Sequence, residues 1–346
     1  MLPYLLVLSF VMFWMILEQK ATNRKAFWVP FITLALFAGV RSYLVGTDSG
    51  NYARNFVKET AVYNYKFSDN VEFGYQLLEY NLLKITHNYF WLFFLTALII
   101  VGCYLKIIKK YSVNYEFSVF LFITLGTYTF FFNGLRQGMA MAVFVLATPY
   151  LLEKRLILYL AITVIASFFH LTALFMIPFY FLVNINIKSY YKVLLSFFVS
   201  LVGSSFIVSE IASTNPRYGS YAKPSEESGG LMTLGFYTII VVLLYVVKHL
   251  YKIKNQEFDK LLTFYTMGVV FVIPIAMLGT NASGPQRIIG YFSWSLVLLL
   301  PIALKKINNF YIYFISILLL LSYFILTTSR FSNLTPYLIN PIFEAL

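Results

Sequence analysis

The chain is divided into apolar runs that are each close to the length a helix needs to cross a lipid bilayer, about 20 residues. Its composition agrees, because 60% of the 346 residues are hydrophobic and only 12% are charged. An ordinary soluble domain is therefore excluded, and we predict an all-α, polytopic integral membrane protein. About twelve candidate transmembrane helices follow from the apolar runs: 1–17, 27–45, 88–108, 115–132, 134–152, 156–168, 171–183, 190–209, 231–248, 260–278, 287–304 and 308–328.

Residues 156–183 could form one long span or a hairpin of two short helices. The basic residues decide between these alternatives, because lysine and arginine concentrate in the cytoplasmic loops of membrane proteins. A hairpin places all the lysine-rich loops on one side, whereas a single span would move the later ones to the opposite side. We therefore predict two short helices that meet near His170, at the exterior end.

With this topology, most lysines lie on the cytoplasmic side and most arginines lie outside. The net charge of +12 is then explained by membrane orientation and lipid contact, not by nucleic-acid binding. Arginine carries a planar fork that suits phosphate, so the exterior arginines are the candidates for function. They are Arg41, Arg54, Arg136, Arg217, Arg287 and Arg330.

We predict a single integral membrane domain over residues 1–346, with both termini outside. Its two long exterior loops are 46–87, where aromatic residues favour interfacial helices, and 209–230, which is rich in Ser, Pro and Gly. The lone Cys103 excludes a disulfide within the chain and a zinc site built from thiolates.

Three residues stand out because the bilayer would reject them unless they serve a purpose. Arg136 lies in NGLRQG between two apolar runs, and Arg287 follows a Gly/Pro/Ser loop at a helix start. Either could be catalytic or could simply reach into the headgroups. His170, at the tip of the predicted hairpin, could contact a ligand, shuttle a proton or pack in the interior.

Carboxylates near the second span offer acid–base chemistry. Asp48 and Glu72 could act as a general base and its partner, hold a divalent ion, or be solvated loop acids. We expect Asp69 and Glu79 to be solvated loop acids.

Five motifs, in this order, resemble the EpsG family, which is grouped with the Wzy-type polymerases of O-antigens and exopolysaccharides. They are RSYLVGTDSGNY, VEFGYQLL, NGLRQGMAMAV, SFFHLTAL and GPQRIIGY, and they span roughly residues 35–295. The resemblance implies a GT-C-like, Wzy-like membrane glycosyltransferase that joins repeat units carried on undecaprenyl pyrophosphate at the periplasmic face. The family pattern falls on Arg41, Asp48, Tyr52, Glu72, Gly74, Tyr75, Arg136, Gln137, His170 and Arg287.

Under this reading, arginines neutralise the leaving pyrophosphate without a metal or any other cofactor, and Asp48 or His170 is the base. We expect Asp48, His170, Arg136 and Arg287 to be catalytic. We expect the donor and acceptor glycan to be bound by Arg41, Tyr52, Glu72, Tyr75, Gln137 and Arg217.

The expected location is the inner membrane of a bacterium, with the site facing the periplasm. Expected partners are the lipid-linked glycan, the lipid bilayer and a chain-length regulator protein, but no nucleic acid. Three rival functions are an O-antigen ligase, which differs mainly in its acceptor, a flippase for lipid-linked oligosaccharides, and a membrane acyltransferase. A flippase usually has repeated halves, which the sequence lacks, and an acyltransferase would place its histidine on the cytoplasmic side.

Overall fold

The structure is a computed structural model that describes residues 1–214, 229–278 and 284–343. The described residues form α-helices joined by short turns and 3₁₀ segments, with no β-strand among them. The α-helices are α1 (Leu2–Thr22), α2 (Trp28–Gly39), α3 (Ser49–Val57), α4 (Phe73–Leu83), α5 (Phe90–Tyr111), α6 (Tyr115–Thr124), α7 (Thr127–Phe130), α8 (Leu135–Val145), α9 (Thr148–Leu152), α10 (Leu156–Ser167), α11 (Ile177–Asn184), α12 (Ser189–Thr214), α13 (Gly229–Leu250), α14 (Gln256–Met277), α15 (Gly290–Ser293), α16 (Leu296–Ile307) and α17 (Phe310–Arg330).

The all-α, multi-pass class is confirmed, whereas the count of twelve transmembrane helices is not. Every predicted apolar run contains at least one helix. By length and composition, five helices in the described residues could each cross a membrane: α1, α5, α13, α14 and α17. The segments Pro285–Ser293 and Leu296–Ile307, bent by 45°, could together form a sixth span. Other apolar helices, such as α2 and α8, are shorter than the usual crossing length.

Asparagine residues are the N-caps of three of the helices. Asn114, Asn255 and Asn309 each accept a hydrogen bond from the backbone N–H three residues later, at 3.1, 2.9 and 3.1 Å. This contact satisfies an N–H that would otherwise lack a partner in the first turn. The helices that begin in this way are α6, α14 and α17, so local sequence sets their starting points.

Residues 156–183 form two short helical segments, as predicted. Helix α10 ends at Ser167, and a 3₁₀ segment, Leu171–Met176, leads into α11. The Tyr159 hydroxyl donates to the Met176 carbonyl at 2.7 Å, and the Tyr159 and Tyr180 rings lie 4.9 Å apart. A continuous helix would separate Tyr159 from Tyr180 by about 30 Å, at about 1.5 Å per residue. The chain therefore reverses direction between them.

The two predicted exterior loops differ in how far they can be compared with the structure. Residues 46–87 contain α3 and α4, so helices are present there, and their position at a membrane surface stays a prediction. In 209–230, helix α12 continues to Thr214 and α13 begins at Gly229, whereas residues 215–228 lie outside the described residues. Arg217 is one of these.

The described residues form two compact units, and the single domain of 1–346 stays a prediction. Unit 1 comprises Met1–Thr148, Leu160–Leu174 and Asn309–Leu346, and unit 2 comprises Pro149–Tyr159 and Phe175–Asn308. In unit 1, α5 packs against α2, α6 and α8.

Helix α14 is the central helix of unit 2 and packs against α11, α12, α13 and α16. On α12, the hydroxyls of Ser196 and Ser200 donate to α14 carbonyls, the first of them at 3.0 Å. Gly268 of α14 lies against Phe292, where an added Cβ would come within 2.0 Å of the ring. Small residues therefore let neighbouring segments approach α14 closely.

Contacts within unit 1 join segments that were predicted to share a side of the membrane. Lys25 Nζ donates to the Lys109 carbonyl at 2.8 Å, which joins two loops predicted to be cytoplasmic. The Tyr4 hydroxyl donates to the Leu334 carbonyl at 2.8 Å, which joins the two termini. This grouping agrees with the charge argument. Which end faces the periplasm stays a prediction.

Candidate active site

An ion pair between Arg136 and Glu72 is the centre of the candidate site. Arg136 lies in the first turn of α8, and Glu72 directly precedes α4. Arg136 Nη1 donates to Glu72 Oε2, and the two side chains are only 11% and 16% exposed. A pair so well shielded from water has a stronger electrostatic interaction than a pair on the surface.

Glu72 also joins this pair to the turn that carries His170. Its Oε1 accepts a hydrogen bond from the Leu171 N–H at 3.3 Å and lies 4.0 Å from His170 Nδ1. Glu72, Arg136 and His170, here called the Glu72 cluster, are far apart in the sequence. The structure thus brings together three of the residues predicted from the sequence.

Gly74 allows α4 to approach the His170 turn. Its N–H donates to the Phe168 carbonyl at 2.9 Å, and an added Cβ would lie only 2.7 Å from that oxygen. A larger residue would push the turn away from α4. Close packing against the His170 turn therefore requires a glycine at this position of the VEFGY motif.

The hydrogen bonds of His170 assign its tautomer. The Thr172 backbone N–H donates to Nδ1 at 3.3 Å, and the Thr172 hydroxyl lies 2.8 Å from the same atom. A backbone N–H can only donate, so Nδ1 accepts and the proton of the neutral ring lies on Nε2. His170 is then a hydrogen-bond donor through Nε2.

Asp48 lies in a turn that is fastened next to the start of α8. The neighbouring Thr47 donates from its backbone N–H and its hydroxyl to Asn133 Oδ1, at 2.6 and 2.8 Å. On the other side of Asp48, the Ser49 hydroxyl donates to the Phe132 carbonyl at 2.7 Å. Asp48, itself half-buried, is therefore held beside the segment that leads to Arg136.

Tyr52 and Tyr75 extend the site along α3 and α4. Their rings meet edge to face, with centroids 5.9 Å apart. The Tyr75 hydroxyl is buried and has no hydrogen-bond partner among the described residues. Burial, more than the neighbouring charge of Glu79, raises the pKa of Tyr75 well above its ordinary value, so this hydroxyl stays protonated.

The expectation that Glu79 is a solvated loop acid is wrong. It is 6% exposed, and its carboxylate accepts hydrogen bonds from Tyr65 Oη at 2.8 Å and from Asn55 Nδ2 at 3.0 Å. Burial raises its pKa, opposed by these two donors and by the positive charge of Arg136. Tyr75 and Glu79 are four residues apart and so share one face of α4, which places Glu79 beside the site but does not show that it is buried.

Gln137 follows Arg136 on α8 and is buried. Arg41 is also buried, but in a different setting. Its guanidinium carbon lies 3.8 Å from the centre of the Phe93 ring and 4.2 Å from that of Phe132, and Nη1 donates to the Ala38 carbonyl. Its Nε and Nη2 have no hydrogen-bond partner in the described part of the chain. The substrate-binding roles of both residues stay predictions.

Arg287 lies in unit 2, in the 3₁₀ helix Pro285–Ile289, where it is half-buried. That Arg287 acts in one catalytic site with Arg136 and His170 stays a prediction. Arg217 lies outside the described residues.

No cluster of three or more His, Cys, Asp or Glu side chains that could hold a metal ion occurs in the described ranges. A metal-independent reaction stays a prediction.

A comparison with known families gives this geometry a context. The sequence profile of the EpsG family matches residues 24–339, which is nearly the whole chain. The protein belongs to the EpsG family. This family is one of Wzy-like polymerases of polysaccharides, and the range includes all the candidate residues named above. No curated protein and no solved structure matches this EpsG-family chain.

Proposed function

We propose that this EpsG-family protein joins oligosaccharide repeat units, carried on undecaprenyl pyrophosphate, into O-antigen or exopolysaccharide at the periplasmic face of the bacterial inner membrane. The Glu72 cluster is the main support. It places a shielded guanidinium next to a carboxylate and an imidazole, in a chain whose family makes polysaccharide. The expectation that a chain-length regulator protein is a partner is supported only by the resemblance to the family.

Arg136 is the group that meets the departing pyrophosphate. The guanidinium has five N–H donors, so it can keep its contact with Glu72 while it binds phosphate oxygens with other hydrogens. Glu72 fixes its orientation before the substrate arrives. A donor held in place for developing negative charge lowers the barrier without further reorganisation.

The transfer itself exchanges one bond for another. The acceptor hydroxyl oxygen attacks the anomeric carbon of the donor, and the bond between that carbon and the pyrophosphate oxygen breaks. The electron pair of this bond stays on the lipid pyrophosphate, and the hydroxyl proton passes to the base. We assign the base to Asp48, because the tautomer of His170 makes its Nε2 a donor that suits a phosphate oxygen.

Both oxygens of Glu72 already accept hydrogen bonds, Oε2 from Arg136 and Oε1 from Leu171. This arrangement disfavours the alternative in which Asp48 and Glu72 hold a divalent ion. We therefore propose that the reaction needs no metal. Polymerisation that survives excess EDTA supports this view, and a loss that magnesium or manganese restores contradicts it.

The decisive experiment is extension of a purified lipid-linked repeat unit by the purified protein. The expected product is a ladder of polymers that remain on the lipid carrier. Transfer of the glycan to a lipid A core, without a ladder, would identify an O-antigen ligase. Movement of the intact lipid-linked unit across vesicles, without bond formation, would identify a flippase.

The proposed orientation has its own test in cysteine labelling. A cysteine at Ser167, near the His170 turn, should react with a membrane-impermeant thiol reagent from outside the cell, whereas one at Ser189 should not. The lysine-rich loops are predicted to be cytoplasmic, which places Ser189 inside and Ser167 outside. Labelling of the Ser189 position from outside would reverse the assignment.

A further inference from the structure

One end of unit 2, around the start of α12, carries several lysines close together. Lys192 of α12 is buried, and its Nζ donates to the Val183 carbonyl at 2.8 Å. The charges of Lys154 and Lys260 act on Lys192, and the exposed Lys188 lies one helical turn before it. The Val183 carbonyl accepts a hydrogen bond but does not neutralise the charge of Lys192, so Lys154, Lys192 and Lys260 repel one another.

The acidic residues of this end relieve that repulsion only at Lys260, on which the charge of Glu257 acts. In the described part of the chain, no carboxylate forms an ion pair with Lys154, Lys188 or Lys192. Two further acids of this region face other bases: Glu153 faces Arg155 at 2.9 Å, and Asp259 faces Lys248 at 2.7 Å.

Two cavities open near the start of α12, and Lys188 lines the first of them. This open cavity of about 470 Å³ is lined by Asn186, Ile187, Lys188 and Tyr191. An apolar groove of about 530 Å³ lies next to it along α12, between α12, α13 and α14, and it is lined by Ser189, Tyr190, Val193, Leu194, Tyr245 and Thr266.

We propose that this end of unit 2 is a binding site for one anionic glycerophospholipid. The phosphodiester headgroup occupies the open cavity at the charge of Lys188, and an acyl chain lies in the apolar groove against Tyr190 and Leu194. Charge complementarity supports this occupant, because basic pockets between membrane helices attract anionic headgroups. Lysine, a compact point charge, suits a singly charged phosphodiester, whereas a pyrophosphate is better matched by the arginine forks of unit 1 and Arg287.

Native mass spectrometry of the full-length protein in a non-ionic detergent tests the site. Phosphatidylglycerol and phosphatidylcholine with identical acyl chains are added in turn, and the apparent affinity of each is measured. We expect tighter binding of phosphatidylglycerol, and about a fivefold loss of that preference in Lys188→Gln. Lys188 is exposed, so this substitution should not disturb the fold.

Two further variants distinguish the site from a general attraction of basic residues for anionic lipid. Lys305→Gln changes a lysine that is equally exposed in the same unit, and it should leave both affinities unchanged. Leu194→Asn, in the groove, should weaken both lipids alike, because it removes contact with the acyl chain.

Three results would overturn the proposal. The first is equal affinity of the wild-type protein for the two lipids. The second is an equal loss of phosphatidylglycerol preference in Lys305→Gln and Lys188→Gln. The third is a Lys188→Gln variant that binds phosphatidylglycerol normally but binds undecaprenyl phosphate, added as a further probe, more weakly. None of these measurements depends on polymerase activity, so the proposal can fail or stand independently of the proposed function.

Discussion

Arg136 and Arg41 are both largely shielded from water in unit 1, but different groups compensate their charges. Arg136 faces a carboxylate and keeps 11% of its side chain exposed. Arg41 is fully enclosed, with one carbonyl and two aromatic rings as neighbours. A carboxylate partner leaves the guanidinium oriented and within reach of an anion. Aromatic rings on both faces hold it in the interior instead, so the two arginines should respond differently to substitution.

The largest expected effect is on activity at Arg136. Arg136→Lys keeps the charge but removes the planar fork, so polymer formation in the extension assay should fall about 100- to 1,000-fold, while expression persists. The matched control is Arg54→Lys, because Arg54 is exposed and its nearest partner is Asn51, at 2.8 Å. Polymer of normal length from Arg136→Lys would show that only a positive charge is needed there.

The next largest effect is expected at Gly74, which positions the His170 turn beside Glu72 and Arg136 and makes no contact with Arg41. Gly74→Ala places a Cβ against the Phe168 carbonyl and should shift the His170 turn away from Glu72. We expect the polymerisation rate to fall about 10- to 100-fold, since small misplacements of reacting groups are costly. Gly50→Ala is the control, because a Cβ there finds its nearest neighbour at 3.7 Å. Equal activity of the two variants would show that Gly74 is not needed to position the His170 turn.

A smaller effect is expected at Arg41 itself. Arg41→Met removes a buried charge and fills the space between Phe93 and Phe132 with a flexible apolar side chain. Stability, measured as the thermal unfolding midpoint, should change by an amount equivalent to about 1 kcal/mol or less, and polymer yield should persist. If polymer is lost while the midpoint is unchanged, Arg41 contacts the substrate, as the sequence suggested.

The smallest effect concerns the carboxylate that borders the Arg136 site. Burial raises the pKa of Glu79 in the folded protein, so its contribution favours the folded state at low pH and is lost as the pH rises from about 4.3, the ordinary value, through the folded value. Relative to wild type, Glu79→Gln should therefore gain thermal stability as the pH rises, by a few degrees at most. A pH-independent difference for Glu79→Gln would contradict the assignment.

Much of the fold could be predicted from the sequence, because hydropathy marks helices that must satisfy their backbone groups within a membrane. The break at 168–170 was also predictable, since charge counting requires the chain to reverse there. Glu72, Arg136 and His170 were found through motifs that carry unusual polar residues in apolar surroundings.

Other features could not be predicted, because they depend on contacts between distant segments. Glu79 lies in a polar stretch that reads as solvated, and only Asn55 and Tyr65, from other parts of the 46–87 segment, enclose it. The enclosure of Arg41 needs Phe93 and Phe132 from two other helical regions. Apolar periodicity shows which residues face the interior, but not which rings from remote helices will meet.

The chain beside Arg41 is completed by a segment that is synthesised much later. Ile339 forms a bridge with Arg41, and the Tyr337 hydroxyl donates to the Phe37 carbonyl, 300 residues earlier. While the intervening helices are still being translated, Arg41, which lies just after α2, lacks these contacts and at first also lacks the rings of Phe93 and Phe132. An uncovered arginine at membrane depth costs a few kcal/mol. We therefore expect this part of the chain to stay in a polar environment, such as that of the insertion machinery, until the segments that enclose Arg41 have been made.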